Sequence, residues 1–331
     1  MRPTSRCTAF ALALLAACGG STTDSGTITT TGTTTNGTFN TSPLALDQIS
    51  SIVPLGNMLP PDQVLPADHV SFVIAGASGA TAGRTVVAPG KGIVEKVSAN
   101  RITIAAGGAI HYWLQNITLL STLSVGTAIT EGQTLGTTTG KNDMLDFGVY
   151  SDLVTVRNLL SPGRYAYETL HAEAPLPLFG DPAKSYLTAK VKSAVDQNGK
   201  LDWDQNNKLV GNWFSTSLAS DASSTLPAAN AKQIAFAYDA VSTGQVRISI
   251  GGQLSIVGLF APSGDDPTPD GVNFSTGKVL FTLYPPVSKP DRTAVGYLLV
   301  QMETPAQIRV ETFSVRPATL TFTPAAQAYA R

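Results

Sequence analysis

Short apolar runs alternate with Gly- and Pro-rich breaks along most of the chain. Residues 70–74, 85–88, 93–97, 102–105, 110–117, 134–138 and 145–150 each have strand length and are rich in Val, Ile, Thr and aromatic residues. A second series has the same grammar, at 233–241, 245–250, 255–260, 277–284, 295–303, 308–315 and 319–323. Turn signals between the runs predict an all-β protein. The first β-domain covers residues 43–180 and an antiparallel sandwich or barrel covers 181–331. Ser98-Ala99-Asn100-Arg101 reads as a tight hairpin, with Asn suited to positive φ. Residues 43–55 place Leu44, Leu46, Ile49, Ile52 and Val53 on a helical period, which predicts a short amphipathic helix.

The first 42 residues follow different rules. Arg2 and Arg6 precede an apolar run at 9–15 that is too short to span a bilayer. Leu15-Ala16-Ala17-Cys18 resembles the bacterial lipobox. That resemblance implies a signal peptide at 1–17, lipidation of Cys18, and, with uncharged Gly19 next, an outer-membrane anchor facing the periplasm. Residues 18–42, rich in Thr, Ser, Gly and Asn, cannot bury enough apolar surface to order themselves and read as a tether. Its root-mean-square reach is roughly 25 Å.

Composition narrows the function. The net charge of −1 leaves no basic footprint, so nucleic acid is not an expected partner. The two cysteines are Cys7, lost with the signal, and Cys18, so the mature chain has no disulfide and folds on its core.

Two segments carry a family likeness. Val86-Val87-Ala88-Pro89-Gly90-Lys91-Gly92-Ile93-Val94 and Val125-Gly126-Thr127-Ala128-Ile129-Thr130-Glu131-Gly132-Gln133-Thr134-Leu135-Gly136 resemble the strands of lysostaphin/LytM-type zinc endopeptidases of peptidoglycan. The likeness covers about a third of the chain and implies a LytM-like β-domain. In that family the next strand reads His-Leu-His-Phe-Glu-Val; here it reads Met144-Leu145-Asp146-Phe147-Gly148-Val149, with Met144 and Asp146 at the two histidine slots.

Other ligand slots depart as well. Either Gln63 replaces the first His and Asp68 remains, or His69 is the His and Val73 stands where Asp belongs. Asn116 takes the slot of an assisting His. A hydrolytic zinc needs three protein ligands and an open position for water. The remnant predicts no catalytic residues and no cofactor; a variant zinc site would use His69, Asp68 and Asp146. Asp146 caps a turn, binds a cation, or pairs with Arg84 or Lys91. Alternation puts His111 on one face with Trp113 and Gln115, opposite Tyr112, Leu114 and Asn116. His171 reads as structural.

Degenerate domains of this kind imply binding or regulation. The expected function is a non-catalytic envelope lipoprotein that binds peptidoglycan or regulates a cell-wall hydrolase, with Asp146, Asn116, Trp113 and Tyr112 in the groove. The alternatives are a zinc endopeptidase with unusual ligands and a structural or lipid-carrying module. For the last, Gly211-Asn212-Trp213 resembles the Gly-x-Trp of lipocalins, whose Trp plugs the barrel floor. Asp202-Trp203-Asp204 begins like a calcium loop but lacks the required Gly and Glu, and reads as a hairpin turn. Residues 264–271 read as a solvated loop.

Overall fold

Side chains on successive strand residues point to opposite faces, and this period builds the first antiparallel sheet. The strands of the first region are, in chain order, β1 (Ile49–Val53), β2 (Val70–Ile74), β3 (Thr85–Val87), β4 (Gly92–Val97), β5 (Arg101–Gly107), β6 (Ile110–Gln115), β7 (Ile117–Leu119), β8 (Ala128–Ile129), β9 (Thr134–Thr138), β10 (Met144–Ser151) and β11 (Ala172–Glu173). The computed structural model describes residues 38–193, 195–218, 227–286 and 293–331. The expected signal peptide, Cys18 and most of the tether lie outside the described residues.

Within the first sheet the order is β1-β2-β10-β6-β5-β4-β8, with β11 beside β10; a second sheet runs β3-β9-β7. Phe72, Phe147, Tyr112, Leu114 and Leu145 of the large sheet share one core with Val86, Leu135 and Ile117 of the small one. The predicted helix at 43–55 is instead a single 3₁₀ turn, Leu46–Gln48, followed by β1. Ile49, Ile52 and Val53 satisfy a buried strand edge paired with β2 as well as they satisfy a helical stripe, so tertiary pairing decides. The predicted 110–117 strand breaks into β6 and β7 at Asn116, whose φ is 68°. Asn is among the few residues that enter the left-handed region readily.

Two short helices follow, α1 (Tyr167–Leu170) and α2 (Ala183–Ala189). Ala183 and Leu187 of α2 are buried in the core of the first sheet, and residue 191 bridges to Ile52 while Gly199 bridges to Leu55. Residues as far as Val191 thus pack on the first core.

Strands β12 (Gly211–Ser215), β13 (Gln233–Tyr238), β14 (Val246–Ile250), β15 (Gly258–Phe260), β16 (Lys278–Leu283), β17 (Gly296–Thr304), β18 (Gln307–Phe313) and β19 (Gln327–Ala330) form the second large sheet. Its order is β15-β14-β13-β12-β19-β18-β17-β16. Past its two ends, Ala261 and Tyr284 exchange backbone hydrogen bonds of 2.9 Å each way, nearly closing an up-and-down barrel. Of the two architectures read from the sequence, the barrel is the one formed. The predicted 319–323 strand is irregular, and the last strand of the chain is β19, between β12 and β18. Trp213, Phe236, Phe281, Leu298, Val300, Val310 and Tyr329 pack its interior.

Arg331 locks the base of this barrel. Its guanidinium lies 4.0 Å from the Trp213 ring centroid and donates to the carbonyls of Val210 and Gln205 at 2.8 and 2.7 Å, and to that of Lys208. The calcium-like turn has structural duties: Asp204 accepts from the backbone of Leu160 and Asn212, and Asp202 from Asn158. In the 264–271 loop Asp266 accepts from the backbone of Ser263 and Thr282, and Asp270 from Tyr238.

Inward and outward residues of β12 and β13 are both buried, because the outer wall of the barrel docks on the first sheet. Phe214, Ala235 and Ala237 meet Leu55, Met58, Leu65, Tyr165 and Leu201 in a third apolar cluster. That contact brings the barrel against the edge of the candidate groove.

Candidate functional site

Asp146 lies on β10, opposite Ser71 of β2 and Gln115 of β6. Its neighbours Leu145 and Phe147 point into the core, so Met144, Asp146 and Gly148 share the outer face. Oδ1 accepts from the Ser71 hydroxyl and Oδ2 from the Asn116 amide, both at 2.8 Å. The carboxylate is thus held by two neutral donors; neither Arg84 nor Lys91 pairs with it, contrary to two of the sequence readings. Arg84 and Lys91 belong to other strand ends, whereas Ser71 and Asn116 are set beside Asp146 by strand register.

The left-handed turn at Asn116 breaks the alternation of β6. Trp113, Gln115 and Asn116 consequently all reach the groove side, which strict period-two reading forbids. Asn116 is 3% exposed, and its Oδ1 has no partner. Because Nδ2 serves a carboxylate, that oxygen is fixed as an acceptor awaiting a donor.

Tyr112 does not line the groove. Adjacent strand residues face opposite ways, and Tyr112 is fully buried against Phe39 and Phe147, with its hydroxyl donating to Gly90 O at 2.7 Å. Burial raises its pKa far above that of a free phenol. Trp113 is the aromatic on the groove side. The Arg101 guanidinium lies 3.9 Å from its ring centroid, and the His69 ring meets it edge-on at 5.0 Å. The Trp113 ring also occupies the space above Gly148, where an added Cβ would fall 2.1 Å from it. The family's Glu at that position has no room here.

His69 sits between two carboxylates. Nδ1 is 3.1 Å from Asp68 Oδ1, and Nε2 is 3.7 Å from Asp146 Oδ1. Asp68 also accepts from Thr169 of α1 at 2.6 Å. Burial alone would lower the His69 pKa, but Asp146 and Asp68 together raise it above its ordinary value. Burial likewise opposes the Asp68 charge, yet the His69 and Thr169 hydrogen bonds hold its pKa below the ordinary value. Asp68 and His69 are neighbours in sequence, with Thr169 on the Asp68 side and Asp146 on the His69 side of the pair.

This arrangement is a poor match for the alternative, a variant zinc site of His69, Asp68 and Asp146. Three ligands must converge on one point about 2.0–2.2 Å away, whereas the imidazole ring separates Asp68 from Asp146. Among the described residues no group of three His, Cys, Asp or Glu side chains is placed to hold a metal ion. Gln63, the alternative first ligand, spends its amide on Leu65 O at 2.8 Å, and Val73 pairs with Met144 in the sheet.

The remaining histidines lie elsewhere. His111 contacts Glu95 at 2.9 Å and Asp152 at 3.4 Å and stacks on Tyr150. His171 packs on Tyr167 with Nδ1 2.5 Å from Val154 O, the structural role read from its sequence context.

Where the sheet meets the barrel, a cavity of about 260 Å³ opens beside Trp113. His69, Arg101, Gln115, Glu168, Asn212 and Gln233 are among its lining residues. A smaller pocket of about 80 Å³ adjoins it, sharing Asp62, Gln63, His69, Gln115 and Lys141 and reaching Asn116, Met144 and Asp146. Lys141 and Asp62 form a 3.1 Å ion pair at this boundary. Sequence reasoning missed Arg101, Glu168, Asn212 and Gln233. An Arg on β5 beside a Trp on the neighbouring β6 was the one available signal; the barrel contribution has none, since only docking brings it there.

No family model matches the chain, and no curated protein sequence matches it. Among solved structures it is similar to Csd3 of Helicobacter pylori, with 19% identity, 36% of this chain and 33% of that one covered, and a TM-score of 0.28. It is similar to a zinc-containing peptidase from Vibrio cholerae at 21% identity, 34% and 36% coverage and a TM-score of 0.27. Lysostaphin of Staphylococcus simulans aligns over 71% of this chain and 90% of its own, at 13% identity and a TM-score of 0.32. The chain thus spans about a third of the length of the first two.

Proposed function

We propose that this chain is a lipid-anchored protein of the bacterial envelope whose first β-region is a non-catalytic LytM-like module. The module binds peptidoglycan or regulates a cell-wall hydrolase. One observation carries this reading: at the slot where the resembled enzymes place a zinc-binding histidine, Asp146 is bound by Ser71 and Asn116. A carboxylate held by neutral donors, beside an imidazole already paired with Asp68, supports recognition rather than water activation. The cleft with a Trp, unpartnered amide oxygens and charges of both signs has the mixed character of a binding site.

Anchoring rests on the lipobox-like Leu15-Ala16-Ala17-Cys18. Cys18→Ser should move the protein from the membrane to the soluble periplasmic fraction. The binding reading is tested by co-sedimentation of the full chain with purified sacculi. Retention of the wild type, weakened by Asp146→Ala, is expected; recovery of all wild-type protein in the supernatant contradicts it.

A further inference from the structure

The larger cavity contains a guanidinium whose hydrogen-bond donors the fold leaves unspent. The side chain of Arg101 is 25% exposed, and among the described residues its guanidinium donates no hydrogen bond. Its ion pair with Glu168 spans 3.8 Å, while Glu168 is already bound by Lys96 at 2.9 Å. One face of the guanidinium lies on Trp113, which holds its plane and leaves the N–H edge free. A planar fork fixed in this way, with its donors unspent, matches a carboxylate.

Asn212, on the barrel wall of the same cavity, supplies a second, independent observation. It is 1% exposed, and one end of its amide bonds the Tyr165 hydroxyl at 3.0 Å. The other end has no partner. Whichever way the amide is turned, one buried polar atom is left for a ligand, and such groups are costly when unpaired. In the adjoining pocket the orphaned Oδ1 of Asn116 accepts only.

Size limits the occupant. At about 30 Å³ per water-sized unit, 260 Å³ holds roughly nine such units, which is below the range of drug-sized ligands. A dianion would face Asp62, Asp68 and Glu168 as well as Arg101 and Lys141, whereas a single carboxylate balanced by an amino group meets charges of both signs.

We infer that the cleft between the first sheet and the barrel binds a compact zwitterion, a dipeptide with both ends free. Its carboxylate is taken by the Arg101 fork, and its amino group is directed toward the unpartnered Asn212 Oδ1 on the barrel wall of the same cavity. The inference rests on the reading of this groove as a binding site and makes the barrel, through Asn212, part of that site.

The test is titration calorimetry of the full chain with alanylalanine, its C-terminal amide, its N-acetyl form and inorganic phosphate. Alanylalanine should bind, and blocking either end should weaken binding by about tenfold or more, since a charge-assisted hydrogen bond is lost each time. Arg101→Gln should lose as much, and Arg101→Lys should recover only part of it. Equal binding of the acid and its amide, tighter binding of phosphate, or no heat with any dipeptide overturns the inference. Should Arg101→Gln fail to fold, the acid-against-amide comparison on the unsubstituted chain decides. Sacculus co-sedimentation run in parallel separates the two claims: retention without dipeptide binding defeats only this one, and loss of both defeats the groove reading as well.

Discussion

The side-chain amide of Asn116 donates to Asp146 Oδ2 at 2.8 Å, across the junction where β6 ends and β10 runs past it. Two residues that stand at histidine slots of the resembled enzymes are thus bonded to each other. The positive φ of Asn116 makes this contact, because it swings the amide out of the strand alternation.

Removing the carboxylate should therefore unsettle its donors. Asp146→Ala leaves the Ser71 hydroxyl and the Asn116 amide unpaired in a site where Asp146 itself is only 13% exposed. A loss of about 1–3 kcal/mol is expected from the unmet donors. Denaturant titration measures it, and a variant as stable as the wild type would show that the pairing is dispensable.

Gly148 should tolerate no side chain. A Cβ there would stand 2.1 Å from the Trp113 ring, so Gly148→Ala forces the indole away from Arg101 and His69. The expected cost is about 1–3 kcal/mol, typical of overpacking, with a changed Trp emission spectrum. Adding Trp113→Ala should return part of the loss; strictly additive losses would show that the two positions are not in contact.

The His69 ion pair fixes a pH signature. His69 has its pKa raised on folding, so its contribution is fully present below the ordinary value of 6.5 and is lost as pH rises through the folded value. Asp68 is lowered, so its contribution is present above the ordinary 3.8 and is lost as pH falls through the folded value. Denaturation midpoints followed from acid to alkaline pH should show the wild type losing stability above neutrality relative to His69→Gln. A difference independent of pH contradicts the paired imidazolium.

Arg331 should matter to the barrel far more than an ordinary surface Arg. Its side chain is 1% exposed, lies on Trp213 and meets three backbone carbonyls. Arg331→Ala leaves those carbonyls and Asp204 without their cation, an expected cost of about 3 kcal/mol. Thermal melts followed by barrel Trp fluorescence measure it.

The sequence made the all-β class and most strands legible because alternation and turn residues are local signals. Residues 49–53 misled because Ile49, Ile52 and Val53 fit both a helix and a buried edge. Asp146 and Asn116 stood at motif slots; Tyr112 was not separable from Trp113 without fixing which face of β6 is inside. Arg101 and Asn212 were hidden for a different reason. Their roles depend on the barrel docking against the sheet through Phe214 and Ala235, a contact that no periodicity encodes.

The central claim is recognition without hydrolysis, and muropeptide release tests it most directly. Full-length protein incubated with purified sacculi and added zinc, at neutral pH, should be retained on the pellet while the supernatant contains no soluble muropeptides above the protein-free control. Chelator-sensitive release of muropeptides, with about one zinc bound per chain, would contradict it.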